Sequence, residues 1–264
     1  MKMLKEFLKR SFSGVGFKTA IIISATLAIA QILQTYTKVD LGYQYPTSLF
    51  EIWIGGEWAS YANSITMLIL PILACLPFST SLLLDKKSGY LAQIYLRKPR
   101  AKVLTTYYVT SFLTGAVATS LPFAINLLLN ALIYPSLLPQ TTTFTFLPSL
   151  RGLFIELFYT MPWIFCLLYI FIIAIFGGFI ACVGLSLGNF IKNKFVLLAT
   201  PFIVYFWIYF ITMQLGMYRF NPYVFLNPSQ AGNAEMPIVL GYYILMAGIS
   251  FIALFSRGLK DDFI

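Results

Sequence analysis

Residues 163–188 read WIFCLLYIFIIAIFGGFIACVGLSLG, which is 26 consecutive positions without a charged side chain. The run lies inside a longer uncharged stretch of 35 residues between Glu156 and Lys192. A helix crosses the hydrocarbon core of a bilayer with about 20 apolar residues. This stretch therefore predicts a transmembrane helix.

Five more uncharged stretches predict further transmembrane helices. Four of them are 19, 27, 24 and 21 residues long, and a fifth of 48 residues runs from Val103 to Leu150. In the longest stretch, polar and proline-rich residues after Tyr134 end the predicted span. The six predicted spans are residues 19–37, 62–84, 103–134, 163–188, 195–216 and 237–256. The predicted fold class is all-α, with residues 1–264 forming one polytopic membrane domain.

The composition is typical of a membrane domain and excludes an ordinary soluble one. Apolar residues make up 59% of the 264 positions and charged residues 10%, whereas soluble domains average about 45–50% and about 25%. We interpret the first hydrophobic stretch as a retained helix, because it lacks the small-residue cleavage site of a secretory signal and five more spans follow.

The distribution of Lys and Arg predicts the orientation, because short loops rich in these residues stay in the cytoplasm. With six spans and both termini inside, 15 of the 18 basic residues are cytoplasmic, and Lys38, Arg151 and Arg219 are external. A seven-span arrangement, made by splitting residues 103–150, gives 13 inside and 5 outside. We therefore predict six spans and an N-in/C-in topology. The net charge of +9 follows from this asymmetry and from attraction to the anionic lipid bilayer, so no nucleic-acid partner is predicted.

Residues 1–17 combine apolar side chains at helical spacing with basic side chains on the other faces. The apolar positions are Leu4, Phe7, Leu8, Phe12 and Val15. This spacing predicts an amphipathic helix that lies on the cytoplasmic interface of the membrane. A disordered basic leader is the alternative.

The residues that enzymes and ion-coupled transporters use are scarce in this chain. There is no histidine, the 3 cysteines fall in apolar spans, and none of the 9 acidic residues lies near the middle of a span. Metal sites need clustered ligands, and proton or ion relays place ionisable groups inside the spans. The segment Gly14–Thr19 lacks the Gly-Lys-Ser/Thr ending of a phosphate loop. We therefore predict no catalytic, metal or cofactor site, and any ATP hydrolysis that energises transport belongs to another polypeptide.

The fourth predicted span carries pairs of small residues four positions apart. Gly177 pairs in this way with Ala181, and Gly184 pairs with Gly188. Such spacing lets helices approach closely in a membrane. It predicts a packing face, and whether that face contacts another subunit stays open.

The segment of residues 85–102, DKKSGYLAQIYLRKPRAK, is the longest charged part of the chain and is cytoplasmic in the predicted topology. Residues Tyr90–Leu96 predict a short amphipathic helix on which Leu91, Ile94 and Tyr95 cluster. A glycine precedes this helix and a proline follows it. Such a helix can insert into a groove of a cytoplasmic partner, whereas the alternative is a solvated basic loop.

The layout of a basic interfacial helix, six spans and this loop resembles the permease subunit of ABC type-2 exporters. In that family the loop begins with an acidic residue, has glycine four positions later, and ends with proline followed by a basic residue. Asp85, Gly89, Pro99 and Arg100 match this pattern. The chain departs from the family in having Asp where Glu is commoner, and in having residues 105–110 without the lysine that often occurs inside the third span.

The resemblance implies a dimer of permeases, formed with a second copy or a related chain and bound to cytoplasmic ATPase subunits that hold ATP and Mg²⁺. It assigns coupling to the ATPase to Asp85, Gly89, Tyr90, Leu91, Ile94, Tyr95, Arg97, Pro99 and Arg100. Relatives of this kind look like exporters of antimicrobial peptides, lipids or drugs in the bacterial cytoplasmic membrane. A non-transporting scaffold or assembly factor and an ion-coupled secondary transporter are the alternatives.

Overall fold

A computed structural model of the chain describes residues 2–39, 48–54, 61–139, 152–228 and 235–259. The described residues form helices joined by turns and contain no β-strand. In chain order the helices are α1 (Lys2–Ser13), α2 (Val15–Val39), α3 (Leu49–Ile54), α4 (Tyr61–Cys75), α5 (Ser81–Lys87), α6 (Tyr90–Tyr95), α7 (Arg100–Ile133), α8 (Ile155–Thr160), α9 (Pro162–Leu187), α10 (Lys194–Gln214), α11 (Pro222–Leu226) and α12 (Met236–Gly258), with a 3-10 turn at Tyr218–Phe220. Arg151 and Lys260, which enter the predicted charge asymmetry, lie outside the described residues.

Five of the described helices are long and apolar enough to cross a membrane, namely α2, α7, α9, α10 and α12. They coincide, to within a few residues at each end, with the predicted spans 19–37, 103–134, 163–188, 195–216 and 237–256. The all-α prediction is confirmed for the described residues. The protein is therefore a helical, multi-pass membrane protein.

The predicted second span, residues 62–84, differs from the single helix that the sequence suggested. Helix α4 ends at Cys75, residues 76–80 form turns, and α5 begins at Ser81. Pro77 explains the interruption, because it has no backbone N–H to donate and its ring collides with the carbonyl one turn earlier. With 15 residues, α4 alone is shorter than the five long apolar helices.

Neighbouring helices satisfy polar groups at this interruption. Ser11 Oγ, on α1, donates to the Pro77 carbonyl at 3.4 Å. Ser79 Oγ donates to the Ala181 carbonyl of α9 at 3.0 Å. Because unpaired polar groups are costly in lipid, these contacts with α1 and α9 stabilise the interrupted segment.

α9 lies at the centre of the bundle, where it packs along α7 and against α4, α10 and α12. At the contact with α7, a Cβ on Gly177 would collide with the Thr119 side chain, and a Cβ on Gly115 would collide with Ala181. Ser111 Oγ on α7 donates to the Ala181 carbonyl at 3.0 Å across the same contact. Small side chains thus allow α7 and α9 to approach closely, as is typical of helix pairs in membranes.

The small residues of α9 are used inside the chain. Gly177 and Ala181 face α7, while a Cβ on Gly184 would lie 2.6 Å from Cys75 Sγ on α4. A Cβ on Gly188 would lie 3.5 Å from the backbone of α5. The sequence left open which helices these residues contact, and the structure places them against α4, α5 and α7 of the same chain.

We predict that Gly177→Ala lowers the free energy of unfolding by about 1–3 kcal/mol, because the added methyl group overpacks the contact between α7 and α9. Thermal unfolding of the purified protein in detergent measures the change. A matched control is Gly248→Ala on α12, where an added Cβ meets no described heavy atom within 4 Å. The control should leave stability unchanged or raise it slightly through higher helix propensity, and equal melting temperatures for the two variants would contradict the described contact.

Candidate partner-docking site

Residues 85–102 fold into the end of α5, the short helix α6 and the first residues of α7. The predicted helix at Tyr90–Leu96 is confirmed, with α6 spanning Tyr90–Tyr95. Gly89 precedes α6 with a φ of 75°, a left-handed conformation that glycine adopts without the steric penalty of a Cβ. Pro99 precedes α7 with an extended ψ of 135°. The glycine and the proline therefore separate α6 from the helices on either side.

The inner face of α6 is anchored in an apolar cluster. Leu91 is fully buried there, and Ile94 and Tyr95 pack against the cluster. The other buried members come from α1, α5 and the turn before it, α7, α9 and α12: Met3, Phe7, Phe78, Leu82, Val103, Leu104, Tyr107, Leu185 and Leu254. Because interiors are close-packed, a displacement of α6 disturbs the packing of all these helices.

The opposite face of the loop is exposed and mixes apolar with basic side chains. We call it the docking face, and it consists of Lys87, Tyr90, Gln93, Leu96, Arg97 and Lys98. Leu96 is 89% exposed and Tyr90 is 41% exposed. Tyrosine and arginine are enriched at protein interfaces. The docking face therefore presents apolar and positively charged side chains on the outside of the protein.

Asp85 holds the start of the loop to α1 and α7. Two guanidinium nitrogens of Arg10 donate to its carboxylate, Nη1 to Oδ1 at 3.1 Å and Nη2 to Oδ2 at 2.6 Å. The Tyr107 hydroxyl donates to Oδ2 of the same carboxylate at 2.5 Å. Arg10 also lies 5.4 Å from the ring centroid of Phe7 and 5.6 Å from that of Phe78, which is within the range of cation–π attraction. These partners compensate the charge of a residue that is only 8% exposed.

Arg10 remains positively charged in this setting. Burial by itself lowers the pKa of a guanidinium, but the hydrogen bond to Asp85 and the negative charge of that residue outweigh burial and raise the pKa of Arg10 above its ordinary value. The carboxylate of Asp85 therefore always faces a cation.

Further contacts tie the loop to other helices at this end of the bundle. Lys86 Nζ donates to Asn189 Oδ1 at 2.7 Å, and Asn189 Nδ2 donates to the Leu254 carbonyl of α12 at 3.1 Å. Arg100 Nη1 donates to the Leu259 carbonyl, just beyond α12, at 2.9 Å. The loop is therefore connected at its start to α1 and to the turn between α9 and α10, and at its end to α12.

The structure brings the predicted coupling residues into one folded loop and divides them between two faces. Asp85, Leu91 and Arg100 make contacts with the bundle. Tyr90 and Arg97 are exposed on the docking face. The first group can hold the loop in place, and the second can contact a partner.

Arg10, Tyr107 and Asn189 contact the loop but were not identified from the sequence. Arg10 was assigned to the polar face of the predicted interfacial helix, and its partner Asp85 is 75 positions away. The sequence contains one signal for such a contact. Asp85 is the only acidic residue in residues 85–102, which contain 6 basic residues. That isolation indicates an ion pair but does not identify the partner.

In the parts of the chain that the structure describes, no group of 3 or more His, Cys, Asp or Glu residues could hold a metal ion. Comparison with models of known protein families, with curated proteins and with solved structures finds no match.

We predict that Asp85→Ala and Arg10→Ala each lower the free energy of unfolding by about 1–3 kcal/mol, because each leaves a partly buried charge without its partner. The effect is smaller than for a fully buried pair, since the Arg10 side chain is 40% exposed. The double variant should be destabilised by about 1 kcal/mol less than the sum of the single changes. Thermal unfolding in detergent measures all three variants, with Glu6→Ala as a control at an exposed acid of α1. Strictly additive losses would show that the two residues do not interact.

Proposed function

We propose that this chain is the transmembrane permease subunit of an ATP-binding-cassette exporter and that α6 docks on a cytoplasmic ATPase subunit. The observation that carries the proposal is the two-sided loop at residues 85–102. Its inner face is anchored through Leu91, which is fully buried, while its docking face is exposed. A solvated basic loop requires neither the buried Leu91 nor the left-handed Gly89.

In this proposal the chain crosses the membrane six times, and α4 with α5 forms the second crossing. The segment begins beside Gln34 of α2, where the Ala62 amide donates to Gln34 Oε1 at 3.1 Å. It ends beside Arg10 of α1, which pairs with Asp85. Near the start of α2, a Cβ on Gly16 would collide with the Leu76 carbonyl directly after α4, so α4 packs along α2 between the levels of Gln34 and Gly16. Both termini and residues 85–102 then face the cytoplasm of a bacterium, as the distribution of basic residues favours.

Movement of the ATPase reaches the spans through the contacts of α6. ATP and Mg²⁺ bind to the ATPase subunits, and the closure of these subunits displaces α6. The cluster around Leu91 transmits the displacement to α7, α9 and α12, and the Arg10–Asp85 pair transmits it to α1. A second permease, either a copy of this chain or a related one, completes the pathway.

The proposed substrate is hydrophobic or amphipathic, such as an antimicrobial peptide, a lipid or a drug. The support is the scarcity of charge, because none of the 9 acidic residues lies near the middle of a predicted span. Pathways for ions and protons carry ionisable residues inside the membrane. An uncharged pathway favours molecules with large apolar surfaces.

We predict that Leu96→Asp and Arg97→Glu abolish binding of the ATPase subunit and the ATP hydrolysis that the complex supports. The reason is that both side chains are exposed on the docking face, where the changes introduce negative charge without disturbing the buried cluster. Purification of the tagged chain from its native membrane should recover a subunit with a phosphate loop, and the reconstituted complex measures hydrolysis. The control is Lys18→Glu, another exposed residue at the same end of the bundle but outside the docking face.

Other results of that experiment lead to different functions. Wild-type ATPase binding and hydrolysis in the Leu96→Asp and Arg97→Glu variants would refute the role of the docking face. Binding of a partner without ATP-dependent substrate movement would indicate a scaffold or an assembly factor. Transport driven by an ion gradient without any ATPase would indicate a secondary transporter.

We also predict that Gly89→Ala weakens ATPase binding by changing the orientation of α6. Gly89 and Gly216 have φ values of 75° and 67°, and a Cβ on either would meet no described heavy atom within 4 Å. Each alanine variant should therefore lose about 1–2 kcal/mol of stability through backbone strain alone. Gly216 follows α10 at the end remote from α6, so Gly216→Ala should leave binding unchanged. Titration of the ATPase subunit onto both variants measures this, and equal weakening would mean that destabilisation, not orientation, is responsible.

A further inference from the structure

An open apolar cleft lies between α10 and α12, away from the docking face. α9 forms the floor of the cleft. The volume of the cleft is about 300 Å³. Residues that line it include Ile180 and Leu187 of α9, Val204 and Ile208 of α10, and Leu245 and Ile249 of α12. Such a surface offers a lateral binding site that is accessible from the hydrocarbon core of the bilayer.

Two tyrosine hydroxyls bond the helices on either side of the cleft, α10 and α12, to different neighbouring helices. Tyr205 of α10 is buried, and its hydroxyl donates to the Met67 carbonyl of α4 at 3.2 Å. Tyr243 of α12 is also buried, and its hydroxyl donates to the Ile172 carbonyl of α9 at 2.8 Å. These bonds hold α10 on the side of α4 and α12 on the flank of α9, so the space between them stays open.

The hydroxyl groups that line the cleft are already engaged within the protein. Thr200 Oγ1 donates to the Val196 carbonyl at 2.7 Å. The Tyr242 hydroxyl donates to the Phe220 carbonyl at 2.6 Å. With the Tyr205 hydroxyl bonded to α4 as well, the cleft presents apolar surface, which is suited to hydrocarbon.

The same helices carry exposed basic residues at the end of the bundle that holds α6. Lys192 and Lys194 lie in the turn between α9 and α10 and at the start of α10, and Arg257 lies in the last turn of α12. The Arg257 guanidinium is 4.5 Å from the ring centroid of Phe190 in that turn. Arg257 therefore lies beside the turn that carries Lys192 and leads to Lys194, where the walls of the cleft end.

The distances along the helices match the dimensions of a lipid. At 1.5 Å per residue, Lys194 lies about 9 Å along α10 from Thr200, which lines the cleft. Arg257 lies about 12 Å along α12 from Ile249. A headgroup at the basic residues thus places its acyl chains at the entrance of the cleft.

We propose that the cleft binds one acyl chain of an anionic glycerophospholipid whose phosphate is held by Lys192, Lys194 and Arg257. The charge of these residues selects an anionic headgroup over a zwitterionic one. The apolar lining and the volume of about 300 Å³ suit a segment of one hydrocarbon chain. The lipid fills the gap between α10 and α12 and joins them at the α6 end of the bundle.

Lipid titration followed by native mass spectrometry tests the site. The probes are dioleoylphosphatidylglycerol and dioleoylphosphatidylcholine, which share the same acyl chains, added to delipidated protein in a non-ionic detergent. We expect one phosphatidylglycerol per chain with at least about tenfold higher affinity than phosphatidylcholine. Equal affinities for the two lipids would overturn the proposal.

Substitution of the basic residues separates a built site from general attraction of anionic lipid. The triple change Lys192→Gln, Lys194→Gln and Arg257→Gln should weaken phosphatidylglycerol binding by about fivefold per residue, or about a hundredfold in total. The control triple removes the same charge at other exposed lysines near the same end: Lys5→Gln, Lys9→Gln and Lys18→Gln. It should leave binding nearly unchanged, and equal losses in both triples would show diffuse attraction and overturn the site.

A cleft-filling substitution tests the position of the acyl chain. Ile249→Trp should reduce binding of phosphatidylglycerol at least about tenfold while the basic residues remain, because the indole occupies the space of the chain. If this variant does not fold, Val204→Trp fills the cleft from the opposite wall. Unchanged lipid binding in a folded variant would exclude the cleft as the site.

Discussion

The backbones of α7 and α9 lie so close together that the Thr119 side chain fills the space where a Cβ on Gly177 would be. Lipid tails are as apolar as the spans, so close packing and hydrogen bonds across the contact stabilise the pair in place of water-driven burial. The Ala181 carbonyl accepts from Ser111 of α7 and from Ser79 before α5. With α9 held in the middle, α10 and α12 take the flanks, and the cleft between them results.

Charge is concentrated at one end of this bundle and serves two purposes there. The Arg10–Asp85 pair holds the loop to α1, and Tyr107 adds a hydrogen bond from α7. The basic side chains of the docking face are exposed and do not anchor the loop to the bundle as Arg10 does. Under the proposed function, a loop that is packed on one side and exposed on the other transmits the movement of a partner to the bundle.

The long apolar helices could be predicted because each is a run without charge, and α6 could be predicted because a glycine and a proline bracket it. The interruption at residues 76–80 could not, since membrane helices tolerate residues such as Pro77 and the sequence does not distinguish a kink from a break. Periodicity reports neighbours within one helix, so it could not pair Arg10 with Asp85. For the same reason the small residues around Gly177 indicated close packing without identifying the helix that they contact.

During synthesis, the interrupted segment around Pro77 leaves the ribosome about 100 residues before Ala181 does. At about 5–20 residues per second, the acceptor of the Ser79 hydroxyl is made about 5–20 seconds after the donor. Until then, the segment contacts parts of the chain that are made earlier than α9, including Ser11, which donates to the Pro77 carbonyl, and Tyr107 of α7, whose ring centroid lies 5.8 Å from that of Phe78. The polar groups of this segment therefore gain their last described partner only when α9, with the highest mean hydropathy of the five long apolar helices, is made.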